Sequence, residues 1–311
     1  MTRSQLEYIL ALDKTRSFSK AADSCFVTQS TLSAMVAKFE KQINITIFDR
    51  KTKPINITTE GELVLKHLKN IKREFEVLDE TVSQIKGIQT GVIRIAAIPT
   101  IAPYLFPNVL KILAKKYPEV HFLIHEITTQ KIVEEILSGN IDVGVVALPL
   151  EEKELVEIPL YEEVFMLYDR REEAKQTDEK VDVDSIDLKK LLLMEEGHCF
   201  RNQVIKICNL RQIESLQRSI TYYSGSIESL KKMVELNKGV TLLPYLSTLG
   251  LCPETKSCLR EFVSPAPARQ IGLIRHKNFV KKELLNGLKE VIINEISKEI
   301  SKSPVDVIKP F

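Results

Sequence analysis

The sequence predicts a chain of two structural kinds, a small helical domain at the N-terminus and, beyond one long helix, a larger α/β portion. Three observations carry this expectation: short apolar runs at helical spacing before residue 48, a sustained 4-3-4-3 apolar repeat from Val64 to Ile85, and strand-like and helix-like segments alternating from Gly91 onward. A length of 311 residues with 44% hydrophobic content allows two or three compact cores. Lys+Arg at 44 against Asp+Glu at 42 leaves a formal charge of +2, so composition neither demands nor excludes nucleic acid, and any such contact has to be local. No apolar stretch approaches the roughly 18 residues needed to cross a bilayer. Met1-Thr2-Arg3 leads straight into an amphipathic pattern instead of a secretion signal, which predicts a cytoplasmic protein without membrane association. Five cysteines, an odd number in a reducing compartment, argue against a structural disulfide framework and leave buried or reactive thiols as the options.

Within the first domain the runs are broken by tight polar connections. Ser17-Phe18-Ser19 opens the second run and Phe26-Val27-Thr28 interrupts before the third, TLSAMVAKFEKQI. There Leu32, Val36, Phe39 and Ile43 form one apolar stripe, Gln29, Ser30, Ser33 and Lys38 look outward, and Thr28 is placed to cap the helix. Two short helices meeting at a tight turn fit a helix-turn-helix whose second helix enters the major groove, and equally a plain helical packing unit. Ile45 to Phe48 and Ile55 to Ile57 then alternate as two short strands around Arg50, Lys51 and Lys53, a basic wing suited to backbone phosphates. The wing favours double-stranded DNA as partner.

Thr59 with Glu62 three residues later reads as a capping box opening a helix to about Lys86. Along it Val64, Leu68, Ile71, Phe75, Leu78, Val82 and Ile85 make a heptad seam flanked by charge. A helix of about 27 residues spans roughly 40 Å, more than one small domain covers, so the seam predicts dimerisation. After Gly87–Gly91, GVIRIAAI, VHFLIHEI and IDVGVVAL read as strands of a parallel sheet with helices between them. A stretch from about Val164 to Pro267 has its own strand and helix signals, QIGLIRH returns to the first unit, and an amphipathic helix covers about Phe279 to Ile300. Two lobes crossed twice by the chain predict a hinged pair with a cleft. The tail from Lys302 to Phe311 is expected to fray.

With these residues in hand, nearly the whole chain resembles the LysR-type regulators. LEYILAL, SFSKAADSCFVTQSTLSAMVAKFE and the wing ending Thr58-Thr59-Glu60-Gly61 match that family's DNA-binding segment. IPTIAPYLFP, His125 to Thr129, and above all GHCFRNQVIKIC from Gly197 to Cys208 narrow the resemblance to its peroxide-sensing OxyR branch. One departure is Ser30, where the family usually has proline near the start of the recognition helix. The resemblance implies a winged helix-turn-helix over residues 1–58, a linker dimerisation helix over 59–90, and a periplasmic-binding-protein-like regulatory domain over 91–311. Lobe one of that domain comprises about 91–163 and 268–302, and lobe two about 164–267. It also implies Gln29, Ser30, Thr31 and Ser33 in the groove with Arg50, Lys51 and Lys53 on phosphates.

For the regulatory part the resemblance implies that Cys199 senses hydrogen peroxide and that Cys208 resolves it into a reversible disulfide, later reduced by cellular thiols. It implies Thr100, Thr129, His198 and Arg269 as a peroxide pocket, a dimer and a tetramer built from two dimers as the working forms, and RNA polymerase as a partner. The two cysteines lie nine positions apart, and a helix between them would separate them by about 13.5 Å of rise. A disulfide needs Cα atoms within about 7 Å, so bonding would require the segment to unwind. Cys199 at a helix start beside Arg201 would be favoured as thiolate.

Taken without the resemblance, a free cysteine on a helix is most often a small buried hydrophobe. Cys25 reads as core. Cys252 and Cys258 could suggest metal, but no second pair of ligands lies nearby and a loop position explains them more simply. His67, His121 and His276 are assigned no chemistry. With no Gly-rich phosphate loop, zinc-protease pattern or nucleophile elbow, no cofactor, metal or enzymatic activity is expected. Two rivals stay open: a LysR-type regulator binding a small metabolite in its cleft, and a thiol peroxidase.

Overall fold

In the computed structural model, the residues described are 1–85, 90–171, 179–194, 199–208, 225–300 and 307–308. The chain divides into two compact units, Met1–Ile88 and Gln89–Phe311. No described helix is long and apolar enough to cross a membrane.

The first unit opens with α1 (Arg3–Thr15), α2 (Phe18–Ser24) and α3 (Gln29–Ile43). Each helix start is set by a hydroxyl. Thr2 makes a capping box with Gln5, Ser17 accepts from the Lys20 amide, and Thr28 accepts from the Thr31 amide. Leu6, Ile9 and Leu12 from α1, Ala21 and Ala22 from α2, and Leu32, Val36 and Phe39 from α3 are all buried in one core. The two alanines let α2 lie close to its neighbours.

The wing is shorter than its alternation predicts. Strands β1 (Phe48–Asp49) and β2 (Asn56–Ile57) pair antiparallel, while Ile47 and Ile55 turn into the core. Glu40 on α3 anchors the wing by accepting from the backbone amides of Ile47 (2.7 Å) and Phe48 (3.1 Å).

The long helix α4 spans Thr59–Ile85. Its cap is Thr58, one residue before the predicted Thr59. The Thr58 hydroxyl accepts from the Gly61 amide (2.9 Å) and donates to the Thr46 carbonyl (2.6 Å), so the cap also ties the helix to the wing. A Cβ at position 61 would run into the Ile47 carbonyl, which is why glycine stands there. Leu65 and Leu68 are buried in the unit's own core, with Val64 and Phe75 packed against it. Ile71, Leu78 and Val82 remain exposed at 38%, 58% and 41%. The seam thus serves two ends, its start packing at home and its later positions facing outward. The Ile85 side chain lies outside the described residues.

The second unit holds a mixed sheet in the order β4-β3-β5-β9-β6-β7. Strands β3 (Gly91–Ala97), β4 (Val120–Glu126) and β5 (Val143–Leu148) are parallel, with α5 (Ala102–Lys116) and α6 (Thr129–Leu137) as crossovers. The three strands read as parallel from the sequence are so, while β9 (Ala266–His276), which carries the returning QIGLIRH segment, runs antiparallel beside β5 and makes the sheet mixed. A crossing strand that returns from the other lobe enters from the opposite end. Strand β6 (Leu155–Asp169) pairs with β9 from Leu155↔His276 to Val164↔Ala268, then continues beside β7 (Val240–Pro244) and β8 (Leu259–Arg260). Strands β6 and β9 are therefore the two passages between lobes.

One apolar core gathers β3, β4, β5, α5, α6, part of β9 and α10 (Lys282–Ile300). A second gathers the far half of β6, β7, α7 (Cys199–Ile207) and α8 (Ile227–Asn237). A short helix α9 (Pro253–Lys256) precedes β8. Within the tail expected to fray, the two described residues form β10 (Val307–Ile308), parallel to β9 at Ala266 and Pro267, and the rest of that expectation lies outside the described residues.

Candidate functional site

On the first unit Gln29, Ser30 and Thr31 stand exposed on the first turn of α3, and Ser33 is half-buried. The Thr28 hydroxyl lies 2.9 Å from that of Ser30 and 2.8 Å from that of Thr31, so both are drawn toward the cap, while Gln29 takes no part in it. Arg50 differs from its lysine neighbours. Its guanidinium is bonded to Glu40 at 2.9 Å, reaches the Ser33 hydroxyl at 3.4 Å and lies over the Phe18 ring at 5.2 Å. That makes it an oriented group beside α3, whereas Lys51 and Lys53 are exposed on the wing. Sequence reasoning passed over Phe26. It is 96% exposed with φ of 55° at the turn before α3, a left-handed conformation unusual for a bulky side chain.

On the second unit the sheet builds a polar centre at the carboxyl ends of its parallel strands. Thr100 follows β3, and Thr129 begins the helix after β4, the strand paired with β3. Both are buried, and the Thr129 hydroxyl has no hydrogen-bond partner among the described residues. Arg269 on β9 is 0% exposed and faces Glu163 of β6 in direct register, also 0% exposed. Its Nε donates to Glu163 Oε2 at 2.9 Å, its Nη2 lies 2.8 Å from the same oxygen, and its Nη1 donates to Thr100 Oγ1 at 2.8 Å. Two rings flank the guanidinium, Phe165 at 5.9 Å and Phe200 at 6.0 Å.

Phe200 belongs to α7, the helix that starts at Cys199. Phe200, Gln203 and Val204 form its buried face, Cys208 follows, and the Cys208 amide donates to the Val204 carbonyl at 3.0 Å. Helical backbone thus continues from one cysteine to the other. Burial among Phe200, Val204 and their neighbours pushes the Cys208 thiol up to about 12, so it stays protonated at neutral pH. Neither amide atom of buried Gln203 has a partner among the described residues.

The structure therefore brings Thr100 and Arg269 together beside α7 and places Thr129 on the same edge of the sheet. His198 and the Cys199 side chain lie outside the described residues. Glu163 was missed by sequence reasoning. Its only signal was indirect, since an arginine inside the apolar run of β9 calls for a buried counter-charge, but the partner is set by a register between distant strands. The other cysteines have separate surroundings. Cys25 packs half-buried on the first core, Cys252 is exposed, and Cys258 accepts from Arg170 Nη1 at 2.9 Å.

Residues 4–62 match the profile of the bacterial regulatory helix-turn-helix proteins of the lysR family, and residues 86–296 match the LysR substrate binding domain. The DNA-binding transcriptional dual regulator OxyR of Escherichia coli K12 is 33% identical over 273 residues, which cover 86% of this chain and 87% of that protein. Among solved structures, a full-length OxyR variant from Pseudomonas aeruginosa superposes with a TM-score of 0.75 at 28% identity, covering 94% of this chain and 98% of that one. An OxyR mutant from Corynebacterium glutamicum in its hydrogen-peroxide-bound form superposes with a TM-score of 0.61 at 25% identity, with 96% of each chain covered.

Proposed function

Since the chain belongs to the LysR family of bacterial regulators, among relatives named OxyR, we propose that it is a cytoplasmic DNA-binding transcription regulator switched by hydrogen peroxide through a reversible Cys199–Cys208 disulfide. The observation that carries the reading is α7 itself. Nine residues of helical rise hold the two cysteines about 13.5 Å apart along the axis, and a disulfide needs Cα atoms within about 7 Å. The bond and the helix exclude each other. A chemical event at one sulfur thereby exchanges one local fold for another.

The two thiols divide the chemistry. Cys199 sits at the start of a nine-residue helix, where unpaired backbone amides and the helix dipole favour a thiolate. Its thiolate attacks one peroxide oxygen, the O–O bond breaks, and the net change is Cys–SH + H2O2 → Cys–SOH + H2O. Cys208, kept protonated by burial, does not compete for peroxide while α7 is intact. Once the helix opens, the Cys208 sulfur attacks the Cys199 sulfenic acid, forming the disulfide and releasing water, and cellular thiols later reduce it. Thr100, Thr129, His198 and Arg269 line the peroxide site. Slow re-reduction, with peroxide consumed about once per site instead of being turned over, makes this a regulator and not an enzyme.

On the DNA side Gln29, Ser30, Thr31 and Ser33 read the major groove, with Ser30 and Thr31 steadied by the Thr28 hydroxyl. Arg50 is oriented by Glu40, and Lys51 and Lys53 neutralise phosphates. Two copies joined along the exposed Ile71, Leu78 and Val82 face of α4 would present paired recognition helices to half-sites about one helical turn apart. Such dimers pair into tetramers, and the assembly contacts RNA polymerase at its promoters.

The test is to treat the reduced protein with one equivalent of peroxide and map its peptides by mass spectrometry. A Cys199–Cys208 link with no further consumption of peroxide is the expected result. Unmodified thiols, or sustained turnover with added reductant, would overturn the proposal.

A further inference from the structure

The buried ion pair on the crossing strands is more than a pair. Two opposite charges taken out of water could be replaced by apolar side chains at little net cost. Apolar residues would not, however, fix a direction, and here every polar atom is committed to one. Glu163 Oε1 accepts from the Leu246 amide at 2.9 Å, while its Oε2 holds Arg269 Nε and Nη2. With that edge pinned, the guanidinium can present only its far side, which donates to Thr100 Oγ1 at 2.8 Å and to the Thr100 carbonyl at 3.2 Å. Arginine has donors and no acceptor. The Thr100 hydroxyl must therefore accept from Arg269 and turn its own proton elsewhere.

We propose that Glu163 is a positioning residue for oxidation of Cys199, fixing Arg269 so that the Thr100 hydroxyl stands as a ready hydrogen-bond donor to the departing oxygen of peroxide. The inference rests on the sensing reading above. Its geometry comes from the sheet edge that carries Thr100 and from the contact of Arg269 with Phe200, the residue after Cys199. In the step, the Cys199 thiolate attacks the nearer oxygen, the O–O bond breaks, and the farther oxygen leaves as hydroxide. Negative charge develops on that farther oxygen, where a fixed donor lowers the barrier most. The hydroxide takes the proton of the new sulfenic acid and departs as water, leaving Cys199 as sulfenate. Thr100 lends a hydrogen bond and loses no proton.

The test uses the full chain and two reagents on one thiol. Hydrogen peroxide needs the donor, whereas iodoacetamide needs only an accessible thiolate. Glu163→Gln is expected to slow Cys199 oxidation at least ten-fold while alkylation stays within two-fold. A merely structural role would lower both rates together. Arg269→Gln supplies the second background, in which adding Glu163→Gln removes no counter-charge that matters. There the peroxide rate is expected to change less than two-fold, and this double variant carries the test should the single one fail to fold. Equal peroxide rates in the parent and Glu163→Gln, a parallel loss of both rates, or additive slowing in the Arg269→Gln background would overturn the proposal. If the parent's Cys199 reacts with peroxide no faster than free cysteine, the sensing reading itself falls, and this inference with it.

Discussion

Val204 offers a quantitative test of the exchange between helix and disulfide. It is fully buried in the middle of α7, within the second apolar core of the regulatory unit. Val204→Ala removes two methyl carbons at about 0.8 kcal/mol each, and the residual cavity brings the loss to about 2 kcal/mol. If opening α7 withdraws Val204 from that core, the loss falls on the reduced fold alone. The disulfide then becomes easier to form and harder to reduce. At about 30 mV per 1.4 kcal/mol for a two-electron couple, the reduction potential should drop by about 40 mV. Equilibration in graded glutathione buffers, with the linked and free peptides quantified by mass spectrometry, reads this directly. Ile136→Val, a buried truncation in the other core of the same unit, should leave the potential unchanged. An unshifted or more positive potential for Val204→Ala would refute the reasoning, because the oxidised form would then bury this side chain as well as the reduced one.

The remaining expectations concern pH, salt and self-association. The Cys208 thiol is raised by burial from its ordinary value near 9 to about 12, so the fold favours its protonated form. That stability is fully present below about pH 9 and is lost as pH rises from there toward 12. At pH 10 the reduced parent should have lost about 1–2 kcal/mol relative to Cys208→Ala, read from urea melts at pH 7 and 10. DNA affinity should fall steeply with salt, and Lys51→Gln or Lys53→Gln in a dimer should reduce the log–log slope by about 2, as fluorescence titration would measure. Arg50→Gln should change that slope less, because Glu40 already holds the Arg50 charge. Leu78→Asp with Val82→Asp should weaken self-association at least ten-fold in sedimentation without lowering monomer stability, since both side chains are exposed.

Much of the architecture was legible because periodicity is a local property. The α3 stripe of Leu32, Val36 and Phe39 and the buried run of β5 both announce which face turns inward. Where the reading failed, a non-local contact decided. Thr58 takes the cap from Thr59 because its hydroxyl also reaches Thr46 across the wing. The heptad positions of α4 read as one seam, yet its start at Val64 and Leu68 is claimed, together with Leu65, by the helical core. Strand β9 is antiparallel to β5 because it returns from the far lobe, and nothing in QIGLIRH states a direction. The site followed the same division. Thr100 and Arg269 were named from family likeness, and 169 residues separate them in the chain. Their counterpart Glu163 came to light only through strand register. Likewise Arg50 looked interchangeable with Lys51 and Lys53 until Glu40 folded against it.

Amide hydrogen exchange over residues 203–208 addresses the switch most directly. In the reduced protein the Cys208 amide is bonded to the Val204 carbonyl, so this stretch should exchange slowly. After stoichiometric peroxide and formation of the Cys199–Cys208 bond, the same amides should exchange at least a hundred-fold faster. Protection that persists unchanged alongside a fully formed bond would contradict the claim that the cross-link and the helix cannot coexist.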